Sequence, residues 1–368
     1  MRGPVRGGGS RRRPEAQAHA DFIPDDPGAT VQAGGWTTLQ WNFTSPFGVG
    51  AEAAWDNLIA AGFPGGDGVT VAVVDTGVAY ADRPPYRRSP DLSATRFVPG
   101  YDFVGLDPDP FDLNGHGTHV ASTIAEETNN AVGVTGLAYG VRIMPVRVLN
   151  RNGAGSATTV ARGIRFAADH GADVINLSLS FDLRTTAQQI PRVIEALDYA
   201  YARGSLVVAS AGNRASSVLP YPARRPSVLA VGATTEYGCT ASFSNYGSGL
   251  DLVAPGGGTD ARLPGDVNCR AGRRGRAIYQ MTFRPPALTR FALRGISGTS
   301  MAAPHVSATA ALVIASGVLG PDPTPEAIAE RLALTARDLG VPGYDKRYGS
   351  GLLDAAAATT ASPPAPLG

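Results

Sequence analysis

Apolar, β-branched runs recur along the chain at 69–74, 141–149, 174–179, 206–211, 228–231 and 250–254. They are near-continuous rather than alternating, which is the pattern of strands covered on both faces. Helical stretches lie between several of them. The segment 158–170 carries Val160, Ile164, Phe166 and Ala167 on one side and stops at Gly171, a residue suited to the left-handed turn that ends a helix. The segment 190–203 behaves the same way and stops at Gly204. Helix, glycine and buried strand, twice in succession, predict an α/β fold of three layers: a mostly parallel central sheet with helices on both faces. Ligands in such sheets bind beyond the carboxyl ends of the strands, so chemistry is expected there.

Composition narrows the function. The 368 residues can bury a sizeable core, and 32 basic against 31 acidic residues give a net charge of +1. A nucleic-acid binder driven by global charge is therefore not expected. No run approaches the ~20 apolar residues that span a bilayer. Cys239 and Cys269 are too few for a zinc site and form no CxxC motif. They either pair across a Gly/Arg-rich loop or stay as two thiols. Residues 1–20 are Arg/Gly-rich without an apolar stretch, so they read as a disordered arm rather than a secretory signal. Residues 361–368 read as a flexible Pro/Ala tail.

Three strand ends or helix starts carry unusual residues. The first strand closes in Val73-Val74-Asp75-Thr76-Gly77, and a carboxylate beside a buried strand is costly without a partner. Asn114-Gly115-His116-Gly117-Thr118-His119 opens a helix. His116 and His119 at i,i+3 lack the Glu of an HExxH metal motif and stand as base candidates. Gly298-Thr299-Ser300-Met301-Ala302-Ala303-Pro304-His305 places a serine at the start of an Ala-rich helix, where the ordinary reading is an N-cap. Together a Ser, a His and an Asp at such ends make nucleophilic catalysis plausible. A dinucleotide site at Gly65-Gly66-Asp67-Gly68 fails, because that run precedes the first strand instead of following it.

With Ser210-Ala211-Gly212-Asn213 added, these blocks resemble the four signatures of subtilisin-like serine proteases, in the family order Asp, His, Ser. The resemblance runs from about residue 40 to 358. It implies the subtilisin-like fold and a serine endopeptidase in which Asp75, His116 and Ser300 form the triad and Asn213 donates to the oxyanion. A subtilisin-fold binding protein without activity is the rival reading, against which the intact set of four residues argues. Substrate rails would be Gly153, Ala154 and Gly155 on one side and Ser178, Leu179 and Ser180 on the other, with Gly212 below and Arg214 at the rim of the S1 pocket. No carboxylate is expected in that pocket, so apolar P1 residues are expected first and basic ones last.

The resemblance also implies structural calcium, held by Asp91, Glu127, Asn130, Val132 and Val134, with Asp26 as a further acid. Asp107, Asp109 and Asp112 either hold a second ion or form a solvated loop. His119 and His305 read as structural, and the long 257–294 segment as a surface insertion. The expected division is an N-terminal segment at 21–56 packing on a catalytic domain at 57–360. The expected protein is a monomer acting on proteins or peptides, without nucleic-acid or membrane partners. It is extracellular by family habit although no signal peptide is visible, with a cytoplasmic form as the alternative.

Overall fold

A computed structural model of the protein describes residues 22–29 and 32–361. The arm expected at 1–20 lies outside the described residues, as does the expected tail after Ala361. The strands are β1 (Thr70–Asp75), β2 (Arg96–Phe97), β3 (Tyr101–Asp102), β4 (Arg142–Arg147), β5 (Val174–Leu177), β6 (Leu206–Ser210), β7 (Val228–Thr234), β8 (Leu252–Pro255), β9 (Ile278–Arg284) and β10 (Ala287–Ile296). The α-helices are α1 (Trp41–Thr44), α2 (Ala51–Ala61), α3 (His116–Ala125), α4 (Ala157–Asp169), α5 (Pro191–Ala202), α6 (Thr299–Ser316), α7 (Pro325–Leu334) and α8 (Ala355–Thr359).

β1 to β8 form one parallel sheet in the order β2-β4-β1-β5-β6-β7-β8, with β3 also on β4. All six strands read from the sequence are present. Every residue of β1 is buried, but alternate side chains enter different cores. Val71 and Val73 join the core that holds α2, α3 and α6; Ala72 and Val74 join the core that holds α4 and α5. This two-sided burial explains why the strands lack alternation. Each fully buried valine contributes roughly 1.5–3 kcal/mol.

One expectation differs from the structure. The 257–294 segment is only partly a surface insertion. Its second half is the antiparallel hairpin β9–β10, which lies along α3 with Ile278, Gln280, Thr282 and Phe283 buried. Its polar edge is used: Ser122 Oγ donates to Met281 O, and Met281 N–H donates to Glu126 Oε1. The first half is fastened by the Cys239–Cys269 disulfide, which settles the pairing left open by the sequence. In addition, α2 runs through residue 56, where the sequence suggested the catalytic domain begins. Its Trp55 is fully buried in the shared core.

Candidate active site

β1, β4, β5 and β6 release their chains at the same edge of the sheet, and α6 begins opposite them. Between lies an open cleft of about 640 Å³, lined by Thr76, His116, Ser178, Gly212, Asn213 and Ser300 among others. Residues 153–155 and 178–180, the expected rails, all line it.

Asp75 ends β1 fully buried. Its Oδ1 accepts the Thr76 N–H at 2.6 Å and faces His116 Nδ1 at 2.8 Å. Its Oδ2 is buried without a hydrogen-bond partner among the described residues. The imidazole is 26% exposed toward the cleft. Burial works against its protonation, but the Asp75 charge and hydrogen bond, helped by Asp112, outweigh this and hold its pKa above the ordinary histidine value. Gly115, before the histidine, has φ +97°, and a Cβ there would stand 2.4 Å from Phe283 O. Only glycine lets the β9 hairpin approach the histidine helix this closely.

Ser300 is the second residue of α6, whose N-terminal half is buried. Its carbonyl would ordinarily accept the amide of residue 304, but Pro304 has none. The Ser178 hydroxyl takes that place and donates to Ser300 O at 2.8 Å. In return Ser300 Oγ donates to Ser178 O at 3.2 Å. Among the described residues no hydrogen bond joins Ser300 to His116.

Asn213 follows β6 through Gly212, which has φ +94° and packs against Asn245. Asn213 Oδ1 accepts from Thr299 N–H and Thr299 Oγ1, both at 2.9 Å. The amide nitrogen is thereby left as the end available to the cleft. Sequence reading passed over Asn245, yet it shapes this loop. It donates to Ala211 O at 2.8 Å and accepts from Arg214 N–H at 2.9 Å and Ser216 N–H at 3.0 Å. Nothing in its Ser-Asn-Tyr-Gly setting indicates which loop it meets.

One acid near the expected S1 region went unread in the sequence. Asp182 lines the same cleft two residues beyond Ser180, a carboxylate that the expected set of S1 residues did not include. Arg214 is 68% exposed and is not among the residues lining the cleft, and its Nη2 lies 3.9 Å from Asp182 Oδ2. Arg214 therefore faces an acid instead of presenting an isolated positive charge.

The expected calcium loop is partly assembled. Asp91 is buried, and its two oxygens accept Asn130 Nδ2 and Val134 N–H, both at 3.0 Å. Burial, then the nearby Asp26 and Glu127 charges, push its carboxyl up to about 8. Asp26 is also buried, which raises its pKa despite hydrogen bonds from Asn129 N–H and Asn130 N–H. Two buried acids within charge range of one another are a donor set that suits a hard cation. Other parts differ from expectation. Glu127 Oε2 accepts from the Ser93 hydroxyl and Ala94 N–H and also from Asn130 Nδ2 at 3.4 Å, so its carboxylate is shared between that loop and the expected site. Asn130 presents its nitrogen to Asp91, while its Oδ1 accepts Val132 N–H at 2.7 Å. Among the described residues no group of three or more His, Cys, Asp or Glu side chains is arranged to hold a metal.

Asp107, Asp109 and Asp112 do not converge. Asp107 accepts Asp109 N–H, and Asp109 takes Tyr80 and Arg83. Asp112 turns inward to five donors and belongs to the histidine helix. His119 and His305 are buried, and burial lowers both to about 4.

A parallel sheet between two helical layers, with the cleft at its carboxyl edge, defines a three-layer α/β fold of the subtilisin-like class. A sequence profile of the subtilase family matches residues 66–351, and the chain belongs to that family of serine proteases. It is 43% identical over 266 residues to a thermophilic serine proteinase of Bacillus sp. (strain AK1), covering 72% of this chain and 56% of that protein. It is 38% identical to subtilisin Savinase of Lederbergia lenta, covering 80% and 91%. A solved protease of Pseudoalteromonas arctica PAMC 21717 superposes with a TM-score of 0.71 at 31% identity, covering 91% of this chain and 98% of that one.

Proposed function

We propose that the protein is a serine endopeptidase with Ser300 as nucleophile, His116 as general base and Asp75 as the group that orients and balances the imidazole. The observation that carries this is the 2.8 Å contact between His116 Nδ1 and buried Asp75, in the same cleft as Ser300 and Asn213. With Nδ1–H directed at Asp75, Nε2 is left as the free base. Rotation about the Ser300 Cα–Cβ bond would exchange the Ser178 carbonyl for that nitrogen. Ser300 Oγ then bonds to the scissile carbonyl carbon as His116 takes its proton. The same proton goes to the leaving amine when the tetrahedral intermediate collapses, and water repeats the sequence on the acyl-enzyme.

The oxyanion would be met by Asn213 Nδ2 and by Ser300 N–H. The latter lies in the first turn of α6, where amides lack intrahelical partners and the dipole is positive. The substrate would lie extended between residues 153–155 and 178–180 and pair through its main chain, with Gly212 and Arg214 near its P1 side chain. Asp91 and Asp26, with Asn130 after an amide rotation and the carbonyls of Val132 and Val134, would hold calcium, whose part is structural. Glu127 would serve the loop beside it. We place the enzyme outside the cell as a monomer acting on proteins, by likeness to its relatives. Among the described residues no helix is long and apolar enough to cross a membrane.

The test is a fluorophosphonate probe with peptide mapping. Label on Ser300, and neither label nor peptidase activity in Ser300→Ala, is the expected result. Label elsewhere with activity retained in Ser300→Ala overturns the assignment.

A further inference from the structure

Asp112 is 3% exposed, yet its carboxylate accepts five hydrogen bonds. Oδ1 takes Thr76 Oγ1 at 2.9 Å, Asn114 N–H at 2.8 Å and Gly115 N–H at 3.0 Å. Oδ2 takes Thr118 N–H at 2.9 Å and Thr118 Oγ1 at 2.7 Å. These donors come from both sides of the catalytic pair. Thr76 follows Asp75 directly, whereas Asn114, Gly115 and Thr118 surround His116. Thr76 Oγ1 also accepts Gly117 N–H at 2.9 Å, and Thr118 Oγ1 accepts Ala79 N–H at 3.0 Å. The two segments are therefore laced together through one carboxylate.

The arrangement answers a need of this helix. The N-cap position of α3 is Gly115, which has no side chain to satisfy the first-turn amides. Asp112 supplies that cap from three residues upstream. Its charge also sits at the positive end of the helix, where a carboxylate is favoured.

We propose that Asp112 is a positioning residue for the reaction: it fixes the His116 imidazole against Asp75 by clamping the end of β1 to the start of α3. This rests on the triad reading above. Asp112 reaches His116 only through backbone and Thr76, and its negative charge adds to the stabilisation of the imidazolium. The titratable groups acting on or facing His116 are Asp75 from β1, Asp112 from the preceding loop and His119 from its own helix.

The test is Asp112→Asn, which keeps the shape but turns one acceptor into an NH₂ aimed at donors. A misplacement of about 1 Å costs about 10²-fold in turnover. The expected result is kcat lower by that order, KM within about twofold and an acid limb of kcat/KM moved to lower pH. The shift follows because removing a nearby negative charge makes the imidazolium easier to deprotonate. A folded variant with unchanged kcat and an unmoved limb overturns the proposal, even if its melting temperature falls. Should Asp112→Asn not fold, Thr76→Val removes the bridge while leaving the carboxylate. A kcat reduced about tenfold at constant KM supports the clamp, and native kcat overturns it. Ser300→Ala run in parallel separates the two readings. Activity surviving there defeats the triad, whereas an inactive Ser300→Ala beside a native-like Asp112→Asn defeats only the clamp.

Discussion

Thr299 holds Asn213 in one orientation: its N–H and its hydroxyl both donate to Asn213 Oδ1, each at 2.9 Å. The residue before the nucleophile therefore decides which end of the amide faces the cleft. The same hydroxyl accepts Gly212 N–H at 3.1 Å, so the loop carrying Asn213 and the turn carrying Ser300 share one group.

Asn213→Ala should keep the fold and lose turnover. The scale is that known for the oxyanion asparagine of subtilisin itself, about 10²–10³ in kcat. Thr299→Val should lose roughly five- to tenfold, since the hydroxyl bond to Asn213 that it removes is worth ~1 kcal/mol. Steady-state kinetics on a chromogenic peptide read both. Undiminished kcat in Asn213→Ala would remove this residue from the oxyanion site.

Acid should destabilise the protein through its buried histidines. His305 Nε2 lies 2.8 Å from Asn42 Nδ2, which fixes it as an acceptor, and His305 Nδ1 faces Met301 O. With the folded pKa at about 4 and the unfolded value near ~6.5, the unfolded chain binds the extra proton between these limits. Stability is thus intact above pH ~6.5 and falls as pH drops toward ~4, by up to ~1.4 kcal/mol per pH unit per histidine. Asp251, raised to about 6 by burial, acts in the opposite sense. The difference between native and His305→Gln denaturation curves isolates the histidine. It should shrink as pH falls from 6.5 to 4.5, and a constant difference would contradict the assignment.

Chelation should lower the thermal midpoint without touching the chemistry. Asp91 and Asp26 are buried close together, and a cation bound to the folded state alone stabilises it by mass action. At free calcium 100 times its dissociation constant this amounts to about 2.7 kcal/mol. Differential scanning calorimetry with and without EDTA measures it, together with initial rates at low temperature. Immediate loss of rate on chelation, restored by zinc, would make the metal catalytic.

Substrate choice should respond to the Arg214–Asp182 pair. If the pair borders S1, Arg214 offsets the Asp182 charge there, and apolar P1 residues should be preferred. Arg214→Ala unmasks the acid and should raise cleavage after Lys or Arg by roughly 3–5-fold, the range of an exposed charge pair. The gain should vanish near 1 M salt, where the screening length is about 3 Å. A P1-scanned peptide library reads this, and no change at low salt would place Asp182 outside P1 contact.

Much of this protein could be read from its sequence, because some signals are local. The buried strands show as unbroken apolar runs, since both of their faces are covered. Asp75, His116, Asn213 and Ser300 could be proposed because each sits in a short block at a strand end or helix start that resembles a family signature. The half-insertion at 278–296 was misjudged for the opposite reason. Its burial comes from α3, more than a hundred residues earlier, and buried Gln280 and Thr282 interrupt the apolar run that would mark a covered strand. The cysteines likewise left two outcomes open, and the 4.9 Å Cα separation that joins them is set by the path of the intervening loop.

Tertiary structure alone decided what the remaining polar residues do. Asp107, Asp109 and Asp112 look equivalent along the chain, yet two engage local and surface partners while the third turns inward to cap the histidine helix. Asp182 lies only two residues beyond the expected rail but lines the cleft near Arg214, and Asn245 braces the Asn213 loop from the far side of β7. A carboxylate or amide takes its role from whichever donors and charges the fold brings within about 3 Å. That distance is a property of packing between segments remote in sequence, so no local pattern encodes it.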